Sequence, residues 1–216
     1  MSKEKPPESA ALRLSLYLRH LRTMQGDGKI SSAELARMVG TSGARVRKDL
    51  SYFGQFGTRG RGYVVGDLRG QIIDILGLNQ EWKIALVGVG KLGTALLRYP
   101  GFRRNGFHIT VAFDVNPELV EREVAGIEIR HPYQMPKTIR ALGIHMGMIT
   151  VPAESAQESA DLLVLSGIRA ILNFSPARLV VPAPVRLKNV DFTSQLEIIP
   201  YHIAETVALT GSMLPR

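Results

Sequence analysis

Residues 83–116 read KIALVGVGKLGTALLRYPGFRRNGFHITVAFDVN, and the fold of the chain turns on them. Ile84 to Val87 is a short apolar run closed by a glycine, the pattern of a buried parallel strand. Gly88-Val89-Gly90-Lys91-Leu92-Gly93 comes next, and Thr94-Ala95-Leu96-Leu97 then places helix-forming residues at helical spacing. A glycine-rich turn alone carries little weight, but between a strand and a helix it acquires chemistry. The first glycine allows the sharp turn, the second lets the backbone approach a pyrophosphate, and the third lets helix and strand pack closely. The start of the helix points unpaired N–H groups at the phosphates.

Phe107 to Phe113 is a β-branched and aromatic run that ends at Asp114, 21 residues beyond Gly93. A carboxylate at the tip of a second strand is placed to hold the adenosine ribose diol. Val115-Asn116-Pro117-Glu118 follows without an arginine, so a 2′-phosphate would meet negative charge there. The expected cofactor is therefore NADH or NAD+, not the phosphorylated dinucleotide. The plainer alternative is that Asp114 caps a helix starting at Pro117, for which Asn116 is the better candidate.

The chain has 216 residues, 45% of them hydrophobic, enough for one large or two small domains. No apolar run is long enough for a membrane span, and the opening MSKEKPPES has no apolar stretch of the secretory kind. There is no cysteine, which excludes disulfides, thiolate metal sites and thiol redox switches and fits a cytoplasmic protein. Any redox sensing must come from a bound cofactor. The net charge of +8 suggests an anionic partner. Between Gly40 and Tyr63 the cations Arg45, Arg47, Lys48, Arg59 and Arg61 face a single acid, Asp49.

An amphipathic helix is expected from Ser9 to about Met24, with Leu12, Leu16 and Leu21 on one side, as its apolar face, and Arg13 and Arg22 elsewhere. Ser31-Ser32-Ala33-Glu34 is a capping box that opens a second helix. Thr41 or Ser42 caps a third, Gly43 to Phe53. Two short helices meeting at Val39-Gly40-Thr41 form a helix-turn-helix pattern whose second member would enter the major groove of DNA. Gly54 to Val65 reads as strand, turn and strand with arginine and glycine at the tip, the wing of a winged helix. Arginine there suits phosphate or a narrow minor groove. A further helix, Asp67 to Leu76, leads to a linker near residue 80.

Beyond residue 81 strands and helices alternate, as in a parallel sheet. In such sheets the ligand lies past the carboxyl ends of the strands. Thr150-Val151-Pro152 and Asn173-Phe174-Ser175-Pro176 are strand ends of that kind, open to either ligand contact or ordinary turn chemistry. Thr193 to Gly211 is a helical segment too apolar to lie exposed, so it is expected to pack on another subunit, with Pro200 starting or kinking it. The architecture is then α/β: a winged-helix domain over 1–80, a Rossmann-like parallel-sheet domain over 81–192, and a C-terminal helix over 193–216. None of His20, His108, His131, His145 and His202 sits in a catalytic arrangement, and the length leaves no room for a substrate domain. A binding module is expected rather than an enzyme.

Arg47-Lys48-Asp49-Leu50-Ser51-Tyr52-Phe53-Gly54, the wing Gly57-Thr58-Arg59-Gly60, Tyr99-Pro100-Gly101-Phe102, Leu172-Asn173-Phe174 and Val190-Asp191-Phe192 resemble the Rex family of bacterial redox-sensing transcriptional repressors. The similarity covers nearly all of the chain beyond its first ten residues. It implies a homodimer that exchanges its C-terminal helix, an inverted-repeat operator in double-stranded DNA, and NADH binding that releases DNA with NAD+ as a weak competitor. By motif it places Phe192 in the partner's nicotinamide pocket and makes Arg19, Tyr99 and Asp191 the polar contacts that change with the ligand. Ser42, Arg45, Arg47, Lys48, Arg59 and Arg61 are the DNA-binding candidates. Gly88 to Gly93, Asp114, Val115, Thr150, Val151, Pro152, Asn173, Phe174 and Phe192 are those for the cofactor. Lys91 stands where arginine is common in the family, and the tail around Pro200 matches least well. A regulator that answers to CoA or another nucleotide is the second reading, and an NAD-dependent enzyme fused to a DNA-binding domain the third.

Overall fold

A computed structural model describes residues 6–26, 28–57 and 61–210, and the chain divides into two compact units, 1–80 and 81–216. The first unit contains α1 (Glu8–Leu21), β1 (Lys29–Ile30), α2 (Ser32–Met38), α3 (Gly43–Ser51), β2 (Tyr63–Val64) and α4 (Val65–Ile75). The capping box forms as its sequence demands. Ser31 Oγ accepts from the Glu34 N–H at 3.1 Å, and Glu34 accepts from the Ser31 N–H at 2.7 Å. Ser42, not Thr41, caps α3, and the turn between α2 and α3 passes through Gly40 at φ +68°.

Two expectations for this unit need correction. In α1 the buried stripe is Ala10, Leu14, Tyr17, Leu18 and Leu21, and Leu12 and Leu16 are exposed. Leucines are so dense in this segment that two helical faces looked apolar, and packing against α3 and α4 selected the one that Tyr17 completes. The wing also differs: residues 54–57 carry no strand, and β2 pairs instead with β1, antiparallel, Ile30 opposite Tyr63. A strand of two residues finds its partner through tertiary packing rather than through a local hairpin signal. Thr58, Arg59 and Gly60 lie outside the described residues.

The second unit is a sheet of β3 (Trp82–Val87), β4 (Phe107–Phe113), β5 (Glu123–Val124), β6 (Ile127–Arg130), β7 (Met146–Ile149), β8 (Ala170–Asn173) and β9 (Arg186–Asn189). Among the described residues the strand order is β5-β6-β4-β3-β7-β8-β9, parallel throughout except that β5 runs antiparallel to β6 at the edge. Without that edge the order is the doubly wound one, reversing direction between β3 and β7, where such folds bind nucleotides. The buried runs Ile84 to Val87 and Val111 to Phe113 form the middle of the sheet. Its helices are α5 (Lys91–Leu97), α6 (Pro100–Arg104), α7 (Met135–Leu142) and α8 (Ala153–Leu165). After β9 the chain enters α9 (Phe192–Thr210), which continues through Pro200 instead of starting there. Among the described residues no helix is long and apolar enough to cross a membrane.

Candidate nucleotide and DNA-binding sites

β3 delivers Gly88 to the carboxyl edge of the sheet at φ +94°. A side chain at Gly88 would meet Val151 Cγ1 at 2.8 Å and the Thr150 backbone at 2.9 Å. At Gly93 a Cβ would collide with the Gly88 carbonyl oxygen, so helix and turn pack at a distance only glycine permits. Gly90, the N-cap of α5, faces open space, and Lys91 and Leu92 beside it are exposed. Thr150 Oγ1 donates towards the carbonyls of Val87 at 3.0 Å and Gly88 at 2.7 Å, fastening the end of β7 to the turn. These contacts join Gly88, Gly93, Thr150 and Val151 at the point where the sheet order reverses.

Asp114 closes the same site from β4. Its Oδ2 accepts from the N–H of Val89, itself buried, at 2.6 Å, and its Oδ1 accepts from the Asn116 N–H at 2.8 Å. Each carboxylate oxygen keeps further acceptor capacity, so these bonds orient the carboxylate without exhausting it. Asn116 accepts from the Glu118 N–H at 3.0 Å, but residues 117–120 are a turn, and the helix that Asp114 might merely have capped is absent.

Sequence reasoning missed the neighbour of Asp114. Phe113 pairs with Arg130 in the sheet and the Asp114 N–H donates to the Arg130 carbonyl at 3.1 Å, which brings His131 alongside. The His131 and Tyr133 rings lie 4.7 Å apart and Tyr133 is 71% exposed, and Val115, the residue after Asp114, is 70% exposed. The aromatic His131-Pro132-Tyr133 directly after a strand was the available signal.

On the other side of the switch point, Asn173 is fully buried and its amide donates to the Ser175 and Ala177 carbonyls and to Asn189 Oδ1, all within 3.1 Å. Its side chain therefore shapes the loop that carries Phe174 and Pro176. Pro152 is exposed at the N-cap of α8. The rings of Phe174 and Phe192 lie 6.3 Å apart within one chain, and Phe192 is 57% exposed. Asp191 caps α9 through the N–H groups of Thr193 at 2.9 Å and Ser194 at 3.2 Å. Tyr99 is exposed and packs edge-on against Phe102. Arg19 is exposed on α1 in the first unit.

In the first unit α3 turns Val46, Asp49 and Leu50 inward and leaves Arg45, Arg47 and Lys48 exposed along one side. Ser42 Oγ accepts from the Arg45 N–H at 3.2 Å, so this hydroxyl serves as the cap. Arg47 Nη1 donates to Ser32 Oγ at 2.8 Å, which ties the recognition candidate to the start of α2. Arg61 is exposed, and Arg59 lies outside the described residues. Sequence reasoning also missed the role of Asp49. It is fully buried and accepts from Arg13 Nε at 2.5 Å, Arg13 Nη2 at 2.7 Å and Tyr17 Oη at 2.7 Å. Burial alone would push the Asp49 pKa up, but these hydrogen bonds and the Arg13 charge outweigh it and hold it below its ordinary value. Burial and the Asp49 hydrogen bond push the Tyr17 phenol up.

Residues 5–51 match the family described as putative DNA-binding protein N-terminus, and residues 79–177 match the CoA binding domain family. The redox-sensing transcriptional repressor Rex of Syntrophomonas wolfei is 46% identical over 93% of this chain and 96% of its own length. The chain belongs to the Rex family. Among solved structures, the Rex-family repressor RSP in complex with β-NAD+ and operator DNA matches with a TM-score of 0.86 and 33% identity, covering 96% of this chain and 98% of RSP. RSP in complex with β-NADH matches with a TM-score of 0.85 and 32% identity over 95% and 97%.

Proposed function

We propose that the chain is a Rex-type transcriptional repressor, a regulator rather than an enzyme, that binds operator DNA as a homodimer and leaves it when NADH binds. The observation that carries this reading is the glycine turn at the switch point, with Asp114 bonded to Val89 N–H, on the same chain as a helix that exposes Arg45, Arg47 and Lys48. The Rex-family relatives support it, as does RSP, seen once with β-NAD+ and operator DNA and once with β-NADH.

In this reading the pyrophosphate lies against Gly88 to Gly93, and Lys91 supplies a point charge where an arginine would supply a fork. Asp114 holds the ribose diol, and the adenine lies over Val115 and the His131–Tyr133 pair. The nicotinamide lies towards Thr150, Val151, Pro152, Asn173 and Phe174. An oxidised nicotinamide carries a positive charge, which an apolar lining of Phe174, Pro152, Pro176 and Phe192 of the partner subunit solvates poorly. The neutral reduced ring fits better. Its binding changes the polar partners of Arg19, Tyr99 and Asp191 and the spacing of the two recognition helices, which then no longer match successive half-sites of an inverted repeat. Ser42, Arg45, Arg47, Lys48, Arg59 and Arg61 form the DNA surface.

The α9 stripe Phe192, Leu196, Ile199 and Ile203 is exposed in the single chain. An apolar surface of that kind calls for a cover, and a second copy that exchanges the segment 193–216 provides one. The protein works in the cytoplasm, where its DNA and nucleotide are found. The match of residues 79–177 to the CoA binding domain family favours CoA as the competing ligand. The 3′-phosphate of CoA, however, would lie against the Asp114 carboxylate, a like-charge contact that a free diol avoids. Titration of operator-bound protein with NADH, NAD+, NADPH and CoA tests the reading. Release at the lowest concentration is expected for NADH, and release by CoA alone would replace it.

A further inference from the structure

The DNA-facing side of α3 is legible from its cations, but what fixes the rotation of α3 about its own axis is on its inner side. Val46 and Leu50 make apolar contacts there, which have no direction of their own. Successive residues are about 100° apart in an α-helix, and a fraction of that rotation would move Arg45, Arg47 and Lys48 off the base edges of a specific site while leaving them outward for phosphates. Asp49 is the buried directional contact, beside the exposed hydrogen bond from Arg47 to Ser32 Oγ. It is the only acid on α3, it is fully buried, and it receives a two-pronged guanidinium from Arg13 and the hydroxyl of Tyr17. A bidentate arginine–carboxylate pair adds geometric specificity to its strength. Both donors lie on α1, one turn apart, so the clamp couples α3 to α1 and not to its sequence neighbour α2. The outer face of α1 carries Leu12, Leu16 and Arg19, all exposed. The segment matched by the DNA-binding N-terminus family, residues 5–51, spans both halves of the clamp.

We propose that Asp49 is a positioning residue for operator reading: clamped by Arg13 and Tyr17, it makes α1 and α3 one body, and forces applied to the outer face of α1 reach the recognition helix through it. This rests on the reading of the chain as a DNA-binding repressor. A buried ion pair is weak evidence for stability, since apolar residues of similar volume often fold as well or better, but it fixes register where apolar contact does not. The clamp therefore predicts a variant that folds and yet reads poorly.

The test uses the full-length protein carrying Arg13→Met with Asp49→Leu, and separately Asp49→Asn, which keeps the side-chain shape. Four quantities are measured: thermal unfolding, affinity for operator, affinity for a non-operator duplex of equal length, and the fold-change in operator affinity on adding NADH. The cations of α3 are untouched, so non-operator affinity stays at the wild-type value. Operator preference is expected to fall roughly ten- to a hundredfold in the apolar pair, the size of one or two lost charge-assisted contacts. It should fall about tenfold in Asp49→Asn, and the NADH response should shrink in both. A folded variant with wild-type operator preference overturns the positioning role. Lost preference with a full NADH response overturns the transmission role. If the double variant does not fold, Asp49→Asn decides by the same two readouts. Equal loss of operator and non-operator affinity means α3 is merely unstable, which also overturns the proposal. Wild-type protein without operator preference overturns the DNA-binding reading itself, an outcome distinct from the others.

Discussion

The N-terminal unit presents side chains, Arg45, Arg47 and Lys48 on α3, whereas the switch point of the C-terminal unit presents backbone, the Gly88–Gly93 turn held by Thr150 and Asp114. The two surfaces should fail differently. At Gly88 and Gly93 the turn depends on distances that an added Cβ violates, so single substitutions at those two positions act almost as all or none. A cationic helix sums several screened contacts, so its losses are partial and depend on salt.

Gly93→Ala is expected to have the largest effect, because the new Cβ collides with the Gly88 carbonyl oxygen. NADH affinity should fall ~100-fold or more, equivalent to about 3 kcal/mol, while calorimetry on the same protein with operator DNA should find DNA binding intact. Near-normal NADH affinity would mean that the turn relaxes and that the contrast between the units is false.

Asp114→Ala comes next. Loss of the hydrogen bonds to a carboxylate should cost about 1.5 to 3 kcal/mol in NADH affinity, and the gap between NADH and NADPH should narrow because the repelling charge has gone. Fluorescence titration with both nucleotides measures this. Unchanged affinity and discrimination would leave Asp114 only its bonds to Val89 and Asn116.

Arg47→Ala or Lys48→Ala should weaken operator binding, and loss of one phosphate contact should lower the salt slope by about one. Loss of a base contact would instead cost roughly 1 to 3 kcal/mol at a single operator position. Unchanged binding in both variants would remove α3 from the interface.

The smallest effect concerns pH. Asp49 has a folded-state pKa below the ordinary 3.8, so its contribution to stability is fully present above that value. It is lost as the pH falls below about 4 towards the depressed folded value. Thermal unfolding of the wild type should show this acid-side decline, and Asp49→Asn should lack that part of it.

The glycine turn, the strand ahead of it, the placing of Asp114 at the end of β4 and the capping box were legible in the sequence because each is a local pattern. The clamp was not, since Arg13 and Asp49 lie 36 residues apart and a lone acid among cations looks like surface. The inner face of α1 was misjudged for the same reason: Leu12 and Leu16 resemble core until Tyr17 is seen to reach Asp49. β5 and the pairing of β1 with β2 involve strands of two residues, too short to show periodicity. His131 and Tyr133 come beside Asp114 only through the register of Phe113 with Arg130.

Nucleotide and operator are expected to oppose each other on one molecule, and linkage makes such an opposition reciprocal. A ligand shifts the equilibrium only by its difference in affinity for the two states, so operator must weaken NADH binding by the factor by which NADH weakens operator binding. The direct measurement is NADH affinity with and without saturating operator. The account predicts weaker binding on DNA, up to ~150-fold or about 3 kcal/mol at the top of the usual range, and equal affinity in the two conditions would contradict it.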